Sequence, residues 1–543
     1  MKISEREIMV LGDEAVSWGA IDSGMKSVYA YPGTPSTEIF EGIEHIVSSL
    51  DDGRIAKWTA NEKVAYEMAL GTSYTGHRAL VCMKHVGLNV AMDAFMNSAL
   101  TGIRGGFVVA VADDPSMHSS QNEQDSRYLA DFAHLPCLEP STPQEAYDYT
   151  CQAFEISEIL GVPVMVRLVT RLSHSRGVIT RKENMNLPEC LGIPPEDTKN
   201  DWVLIPSIAK RRYRQLREKL PKMLTVSAQY NKTSISGHRL GVVTCGMGRA
   251  YFNQLCREYP ALKEYNRLDV CSYPLSLTDI RKFIKSCEEI YVFEENYPYL
   301  EDKIRDMGQG KRVYGRRDKS LPMDGELNPI ILKKCMELPL AESKKESEVV
   351  VPARPPRLCD GCGHRDAFNS MKDALKNIGV DEPRIFGDIG CYTLGVMPPF
   401  DMINTCVEMG ASVGMTLGAA EAGLEPSIGV IGDSTFFHSG LPTLISMAKS
   451  KTANANLVIV DNKITGMTGQ QPTVAIDIFE DIARSFGFSE EQIHVLKPLP
   501  QKHEENVKYL ENVFSQKRPD IIIFRRECVQ ALRKKLYQKY YQK

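Results

Sequence analysis

Two apolar runs in the last third of the chain end on oxygen-bearing side chains. "GVIGDS" breaks at Gly432-Asp433-Ser434, and "LVIVDN" breaks at Asp461-Asn462. A strand followed by Gly-Asp-Ser and a helix presents backbone N–H groups at a helix N-terminus, which suits an anion, phosphate above all. The aspartate beside it is a ligand type for a hard divalent cation. Residues 435–460 leave room for one helix and one return strand. In a parallel sheet both breaks then fall at the carboxyl edge, where ligands bind. Asp433 and Asn462 would converge on one metal, which in turn neutralises a diphosphate. Turn chemistry is the competing account of a lone Gly-Asp; an asparagine at this distance favours the clamp.

Four cysteines form a second constellation. Cys359 and Cys362 make the CxxC in "CDGCGHR", Cys391 lies in the strand-to-helix turn "GDIGCYTLG", and Cys528 follows the last strand in "IIIFRRECV". A CxxC pair with two remote cysteines at loop positions suits a [4Fe–4S] cluster or a zinc site; structural thiols are the third reading. The chain has 14 cysteines. With no export signal, reduced thiols are expected rather than a disulfide framework. Cys245 and Cys287, lone in apolar runs, read as small buried hydrophobes.

These groups need elements to hold them. Up to about residue 180, short apolar runs ("SVYAYPG", "RIAKWTA", "RALVCMK", "GGFVVAVADD", "VPVMVRLV") alternate with helical stretches such as 61–74 and 143–160. That is βαβ patterning, and it predicts a parallel, doubly wound sheet. Residues 181–236 lose the rhythm, and "SIAKRRYRQLREKLPKML" reads as a basic helix or helix pair in a solvated connector. The rhythm resumes over 237–345. There "CGMGRA" offers Gly246-Met247-Gly248, better suited to tight strand–helix packing than to phosphate. A charged, then proline-rich stretch at 346–358 reads as a linker, and a third α/β domain fills 359–543.

Composition excludes several classes. The 543 residues are 43% hydrophobic and 25% charged, with net charge −4, an ordinary soluble balance with no basic field for nucleic acid. No apolar run reaches the roughly 18 residues that span a membrane. The opening "MKISEREIMV" lacks the apolar core of a signal peptide, so a cytoplasmic protein is expected.

The Asp433–Asn462 pattern resembles the diphosphate-binding motif of thiamine diphosphate enzymes. The stretches "YPGTPSTEIFE", "NEKVAYEMALG", "MKHVGLNVAMDAFMNSALTG", "VVAVADDPSMHSSQNEQDSR", "CDGCGHRDAF", "GDIGCYTLG" and "GDSTFFHSG" together resemble the 2-oxoacid:ferredoxin oxidoreductases. The likeness is to the alpha subunit of the indolepyruvate type and covers nearly the whole chain. It implies three α/β domains of the thiamine diphosphate-binding fold. These are a pyrimidine-binding domain (1–180), a transketolase C-terminal-like domain (237–345) and a diphosphate-binding domain (359–543).

Site residues follow from the same likeness. Magnesium would take Asp433, the Asn462 side chain and the carbonyl of Ile464, with Gly432, Ser434, Gly390 and Cys391 also at the cofactor. Glu62 would meet the aminopyrimidine ring nitrogen and assist proton removal from the thiazolium carbon; on position alone it is a first-turn glutamate favoured by the helix dipole. Thr34 would reach the substrate carboxylate. His85 and Asn89 would lie near the cofactor, His85 as a donor to the substrate or as a structural histidine. Cys359, Cys362, Cys391 and Cys528 would hold a proximal [4Fe–4S] cluster.

The implied reaction is oxidative decarboxylation of a 2-oxoacid, an aryl pyruvate such as indolepyruvate, to an acyl-CoA. Electrons would pass through the cluster to ferredoxin. The implied partners are a smaller beta subunit and a ferredoxin-like carrier, in a hetero-oligomer containing an alpha dimer. The family's C-terminal ferredoxin-like domain has no counterpart in "QALRKKLYQKYYQK", so a separate carrier is expected. "HSSQNEQDSR" suits a substrate mouth or a subunit contact. Two rivals differ in what they use. A non-redox thiamine diphosphate decarboxylase or carboligase keeps Glu62, Asp433 and Asn462 but has no use for the four cysteines. A non-catalytic assembly subunit has no use for the clamp or for Glu62.

Overall fold

The runs "ALVCMK", "FVVAVAD" and "VMVRLV" form strands Ala79–Lys84, Phe107–Asp113 and Val164–Val169, buried at every position. Strands covered by helices on both faces lose the polar alternation of half-exposed ones. The computed structural model that contains them describes residues 5–50, 52–182, 192, 201–340, 352, 355–450, 454–473 and 476–541, with side chains as far as 535. Most of the expected 346–358 linker lies outside the described residues.

The first sheet has seven strands, in the order Ser272–Tyr273, Cys137–Leu138, Val164–Val169, Phe107–Asp113, Ala79–Lys84, Ser27–Ala30, Ile55–Trp58. All pairings are parallel except that of Ser272–Tyr273 with Cys137–Leu138. The chain runs from Ser27–Ala30 out to the edge strand Ile55–Trp58. It then returns to place Ala79–Lys84 on the other side of the starting strand. Such a reversal marks where ligands bind in open α/β sheets. Gly33-Thr34 and Lys84-His85 follow the two strands that flank it.

A second, five-stranded sheet has the order Arg312–Tyr314, Glu289–Phe293, Leu240–Cys245, Asn266–Val270, Lys232–Ser234. Only Lys232–Ser234 is antiparallel. The helix Gly246–Glu258 starts directly after Cys245. A Cβ on Gly248 would lie 2.2 Å from the carbonyl oxygen of Phe293, so the glycines serve close helix–strand packing, as expected.

Residues Met1–Glu346 form one compact unit and Ser347–Lys543 another. Three contacts tie the segments up to 346 together. Ser272–Tyr273, from the middle segment, extends the first sheet. Lys232–Ser234, from the expected connector, belongs to the second. A buried ionic layer joins the two sheets. In that layer Arg127 reaches Asp125 (2.5 Å) and Glu294 (2.8 Å), and Arg167 reaches Asp113 (2.7 Å) and Glu139, and donates to Asn296 (2.7 Å). Both arginines are fully buried.

The basic stretch forms helices Pro206–Glu218 and Leu220–Ser227. It is more than a solvated connector. Arg212 donates to the carbonyls of Leu100 (2.8 Å) and Thr101 (2.6 Å), the end of helix Met92–Thr101, where a cation satisfies unpaired carbonyls and complements the dipole.

The second unit holds six parallel strands, in the order Thr405–Cys406, Ile385–Gly387, Ser427–Gly432, Ala455–Asp461, Asp520–Arg525, Ile493–Leu496. The two-residue period of a strand sorts its side chains into two cores. Val430, Val458, Val460, Ile522 and Phe524 enter one; Ile431, Leu457, Ile459, Ile521 and Ile523 enter the other. Here the strand order reverses between Ile385–Gly387 and Ser427–Gly432. The residues that follow these two strands include Cys391 and Asp433. Among the described residues no helix is long and apolar enough to cross a membrane.

Candidate active-site residues in the two units

In the first unit, Glu62 opens the helix Glu62–Tyr74, whose N-cap Asn61 accepts from the Val64 amide at 2.9 Å. The carboxyl is turned inward and only 5% exposed. It rests on Gly87, in the helix after the next strand: a Cβ there would sit 2.6 Å from Oε1 and 2.7 Å from Cγ. Glycine is therefore what lets this carboxyl lie where it does.

Lys84 and His85 follow at the end of strand Ala79–Lys84. Lys84 Nζ donates to the Ser119 carbonyl at 2.9 Å, and the Ser119 hydroxyl donates to the Thr34 carbonyl at 3.1 Å. Thr34 is half-buried. Asp114 orders the same loop by accepting from the Ser119 amide (2.8 Å), the Ser120 hydroxyl (2.6 Å) and the Thr170 hydroxyl (2.7 Å). These hydrogen bonds hold its carboxyl below the usual range despite burial. "HSSQNEQDSR" is thus tied down beside Thr34 and Lys84.

His85 is fully buried, and burial lowers its pKa. Nε2 lies 3.2 Å from the Asn122 carbonyl, so the neutral ring carries its proton there. Nδ1 is then a bare acceptor, without a hydrogen-bond partner among the described residues. Asn89 is exposed on the same helix.

In the second unit, strands Ser427–Gly432 and Ala455–Asp461 pair in register, Gly432 beside Val460. The loops beyond them meet where the Ser434 and Thr465 hydroxyls share a 2.8 Å hydrogen bond. Asp433 is 2% exposed. Its Oδ1 accepts from the Ser434 amide at 2.8 Å, and Oδ2 is buried without a hydrogen-bond partner among the described residues. Burial pushes the carboxyl up to about 7, against the pull of the Ser434 and Lys463 amides. Asn462 Oδ1 accepts from the Ile464 amide at 3.0 Å, which bends the chain back toward Asp433. An orphaned buried carboxylate oxygen is what a missing cation leaves behind, so Asp433 fits a divalent metal. A helix does follow Gly-Asp-Ser, but its first full turn, Phe436–Gly440, is π-helical, and the α-helix runs over Leu441–Lys449. Such turns recur at functional sites.

The four cysteines come together. Cys359, Cys362, Cys391 and Cys528 line one cavity of about 110 Å³, and Val460, Asp461 and Asn462, at the end of strand Ala455–Asp461, form another part of its wall. Burial raises the Cys391 thiol to about 12, and the other three thiols add to the shift. Cys362 is raised for the same reason. Gln530 donates to Cys359 Sγ at 3.3 Å. Among the described residues no three His, Cys, Asp or Glu side chains are already gathered closely enough to ligate a metal ion. The donor set, four thiols from three separate segments around one cavity, fits a sulfur-rich metal group.

Sequence reasoning missed Lys84, Asp114 and Gly87. Lys84 carried a signal: it is the one charge in an otherwise apolar strand, at the carboxyl end.

Comparison with known proteins adds to this geometry. Residues 18–191 match the family model described as "Pyruvate flavodoxin/ferredoxin oxidoreductase, thiamine diP-bdg". Residues 388–513 match "Thiamine pyrophosphate enzyme, C-terminal TPP binding domain". The indolepyruvate oxidoreductase subunit IorA of Archaeoglobus fulgidus is 38% identical over 494 residues, 86% of this chain and 76% of the relative. The chain belongs to the indolepyruvate oxidoreductase IorA family. Two other IorA subunits extend the match: that of Methanothermobacter thermautotrophicus, 37% identical over 92% of this chain and 84% of its own, and that of Pyrococcus abyssi, 33% identical over 96% and 85%. The IorA relationship carries the thiamine diphosphate-binding fold with it. Glu62 falls in the first matched region, and Cys391, Asp433 and Asn462 fall in the second.

Proposed function

We propose that this chain is the thiamine diphosphate-dependent catalytic subunit of an oxidoreductase that decarboxylates an aryl 2-oxoacid, such as indolepyruvate, to an acyl-CoA. The observation that carries the redox part is the single cavity lined by four cysteines and walled by Val460–Asn462. A non-redox decarboxylase would need the clamp but not the thiols.

Asp433, the Asn462 side chain and the Ile464 carbonyl would hold magnesium, which neutralises the diphosphate. Ser434, at the turn after Gly432, would lie at the same end, its amide already held by Asp433, with Gly390 and Cys391 beside it. Glu62 would hydrogen-bond the aminopyrimidine nitrogen and hold the proton that the ring exchanges. Bound thiamine diphosphate supplies the electron sink that lets carbon dioxide leave. Cys359, Cys362, Cys391 and Cys528 would hold a [4Fe–4S] cluster, which accepts electrons one at a time for a ferredoxin-like carrier. Thr34 and the loop ordered by Asp114 would face the 2-oxoacid. With Nε2–H committed to Asn122, neutral His85 offers an acceptor rather than a donor. A partner subunit is supported by the relatives being named as subunits, and coenzyme A would complete the reaction with it.

Iron and acid-labile sulfide analysis of anaerobically purified protein tests the reading. About four irons and four sulfides per chain are expected for one cubane cluster. A colourless preparation that still decarboxylates 2-oxoacids would transfer the chain to the non-redox class.

A further inference from the structure

The proposed function leaves one buried cation unexplained. Lys84 is 8% exposed. Its stem lies along Gly33, where an added Cβ would sit 3.3 Å from Cδ. Nζ donates to the Ser119 carbonyl, and among the described residues the side chain has no other hydrogen bond and no ion pair. An ammonium carries three donors, and lysine is almost never buried without a partner. Burial lowers its pKa to about 8, while the charges of Asp114 and Glu62 hold it up.

The nearby carboxylates do not fill the gap. Both oxygens of Asp114 are taken by Thr170, Ser119 and Ser120. Glu62 is seated on Gly87. His85, next in the chain, is spoken for by Asn122. The ammonium therefore keeps donors without a hydrogen-bond partner among the described residues, and its carboxylate neighbours Asp114 and Glu62 act on it only from beyond ion-pair distance. It is also held to Thr34 through one residue, since Ser119 accepts from Lys84 and donates to Thr34. Both sit where the strand order of the first sheet reverses.

We infer that Lys84 is the counter-ion for the carboxylate of the 2-oxoacid, received between its ammonium and Thr34, and that it makes the site selective for free acids over uncharged carbonyl compounds. This rests on the proposed function for the identity of the acid. The charge requirement itself follows from the unpaired ammonium.

Calorimetry on the full chain, loaded with thiamine diphosphate and magnesium under anaerobic conditions, tests it with two non-reacting probes: indole-3-lactate and the matching amide. Lys84→Met is expected to weaken binding of the acid by about tenfold or more, as removal of one partner of a buried charge pair does. Binding of the amide should change by less than about twofold, and Lys84→Arg should recover part of the loss. A methionine variant that binds the acid as the wild type does overturns the inference, as does wild-type protein that binds acid and amide alike. Should the methionine variant not fold, wild-type protein gives the same decision: acetylation of Lys84, followed by peptide mass spectrometry, is slowed by the acid and not by the amide, and absence of protection overturns the assignment. Lack of 2-oxoacid turnover by wild-type protein with its partner subunit, coenzyme A and a viologen dye counts against the proposed function alone.

Discussion

The main-chain N–H of Cys528 donates to the carbonyl of Asn462 at 3.2 Å. Two residues earlier Arg526 does the same to Asp461, at 3.0 Å. Cys528, the last of the four cysteines, and Asn462 are thus positioned by main-chain bonds that carry on from the pairing of Ala455–Asp461 with Asp520–Arg525. The cavity lined by the four cysteines therefore adjoins Asp461 and Asn462.

Replacing Cys391 or Cys362 by serine should remove most of the iron and the broad visible absorption, because a hydroxyl is a poor substitute for thiolate. Thiamine diphosphate affinity should stay within about threefold, since Asp433 and Asn462 keep their own hydrogen bonds. Dye-linked 2-oxoacid oxidation should fall at least about a hundredfold. A serine variant with full iron and full turnover would refute the ligand assignment.

Asp433→Asn should abolish magnesium-dependent binding of thiamine diphosphate, and the wild-type affinity should depend on pH. The buried carboxyl titrates near pH 7, so a proton competes with the cation below that value. Affinity should fall about tenfold per pH unit on the acid side. For stability without metal the sign is opposite. A carboxyl raised from about 4 in the unfolded chain to about 7 contributes stability that is full below pH 4 and lost as pH rises through 7. Melting curves of the metal-free protein should decline over that window, less steeply for Asp433→Asn, and magnesium with cofactor should restore most at alkaline pH. A pH-independent affinity between 6 and 8 would contradict this.

Gly87→Ala should act on Glu62 from a distance in sequence. The new methyl would occupy space held by the carboxyl, so Glu62 must move. Overpacking of this kind costs about 1–3 kcal/mol of stability. A misplaced catalytic group costs about a hundredfold in turnover. Diphosphate binding, measured by calorimetry, should be nearly unchanged. An alanine variant with wild-type kcat would mean that Glu62 has no role in proton transfer.

Arg127→Met removes the cation shared by Asp125 and Glu294 and leaves buried Glu294 without an ion pair, while Asp125 keeps Arg167 at 3.6 Å. Breaking a buried ion pair from one side costs about 3–5 kcal/mol. The measurement is urea unfolding of the full chain followed by far-UV circular dichroism, and the first unit should unfold at lower urea while the second keeps its midpoint. Unchanged unfolding would show that the layer is dispensable.

Strong local signals were legible in the sequence. "ALVCMK", "FVVAVAD" and "VMVRLV" could be read as buried parallel strands because apolar runs bounded by turns have few other uses. Asp433, Asn462, Cys391 and Cys528 stood out because each follows the end of a strand, and Cys359 and Cys362 because of their CxxC spacing. Contacts without local periodicity were not legible. Cys137–Leu138 and Ser272–Tyr273 are two residues long, too short to carry a pattern, yet their pairing fuses the first two expected domains. Nothing in the sequence singled out Arg127 or Arg167, because their partners Glu294 and Asn296 come from more than a hundred residues away. Gly87 carried no signal at all, because its meaning lies in the side chain resting on it.

The layer around Arg127 and Arg167 also limits how this chain can be cut and recombined. A fragment ending near residue 180 would carry two desolvated guanidiniums without Glu294 and Asn296. A fragment beginning near 237 would carry the buried Glu294 without its cation. A chimera that exchanges the early sheet between relatives should therefore stay soluble only when the loop around 294–296 travels with it.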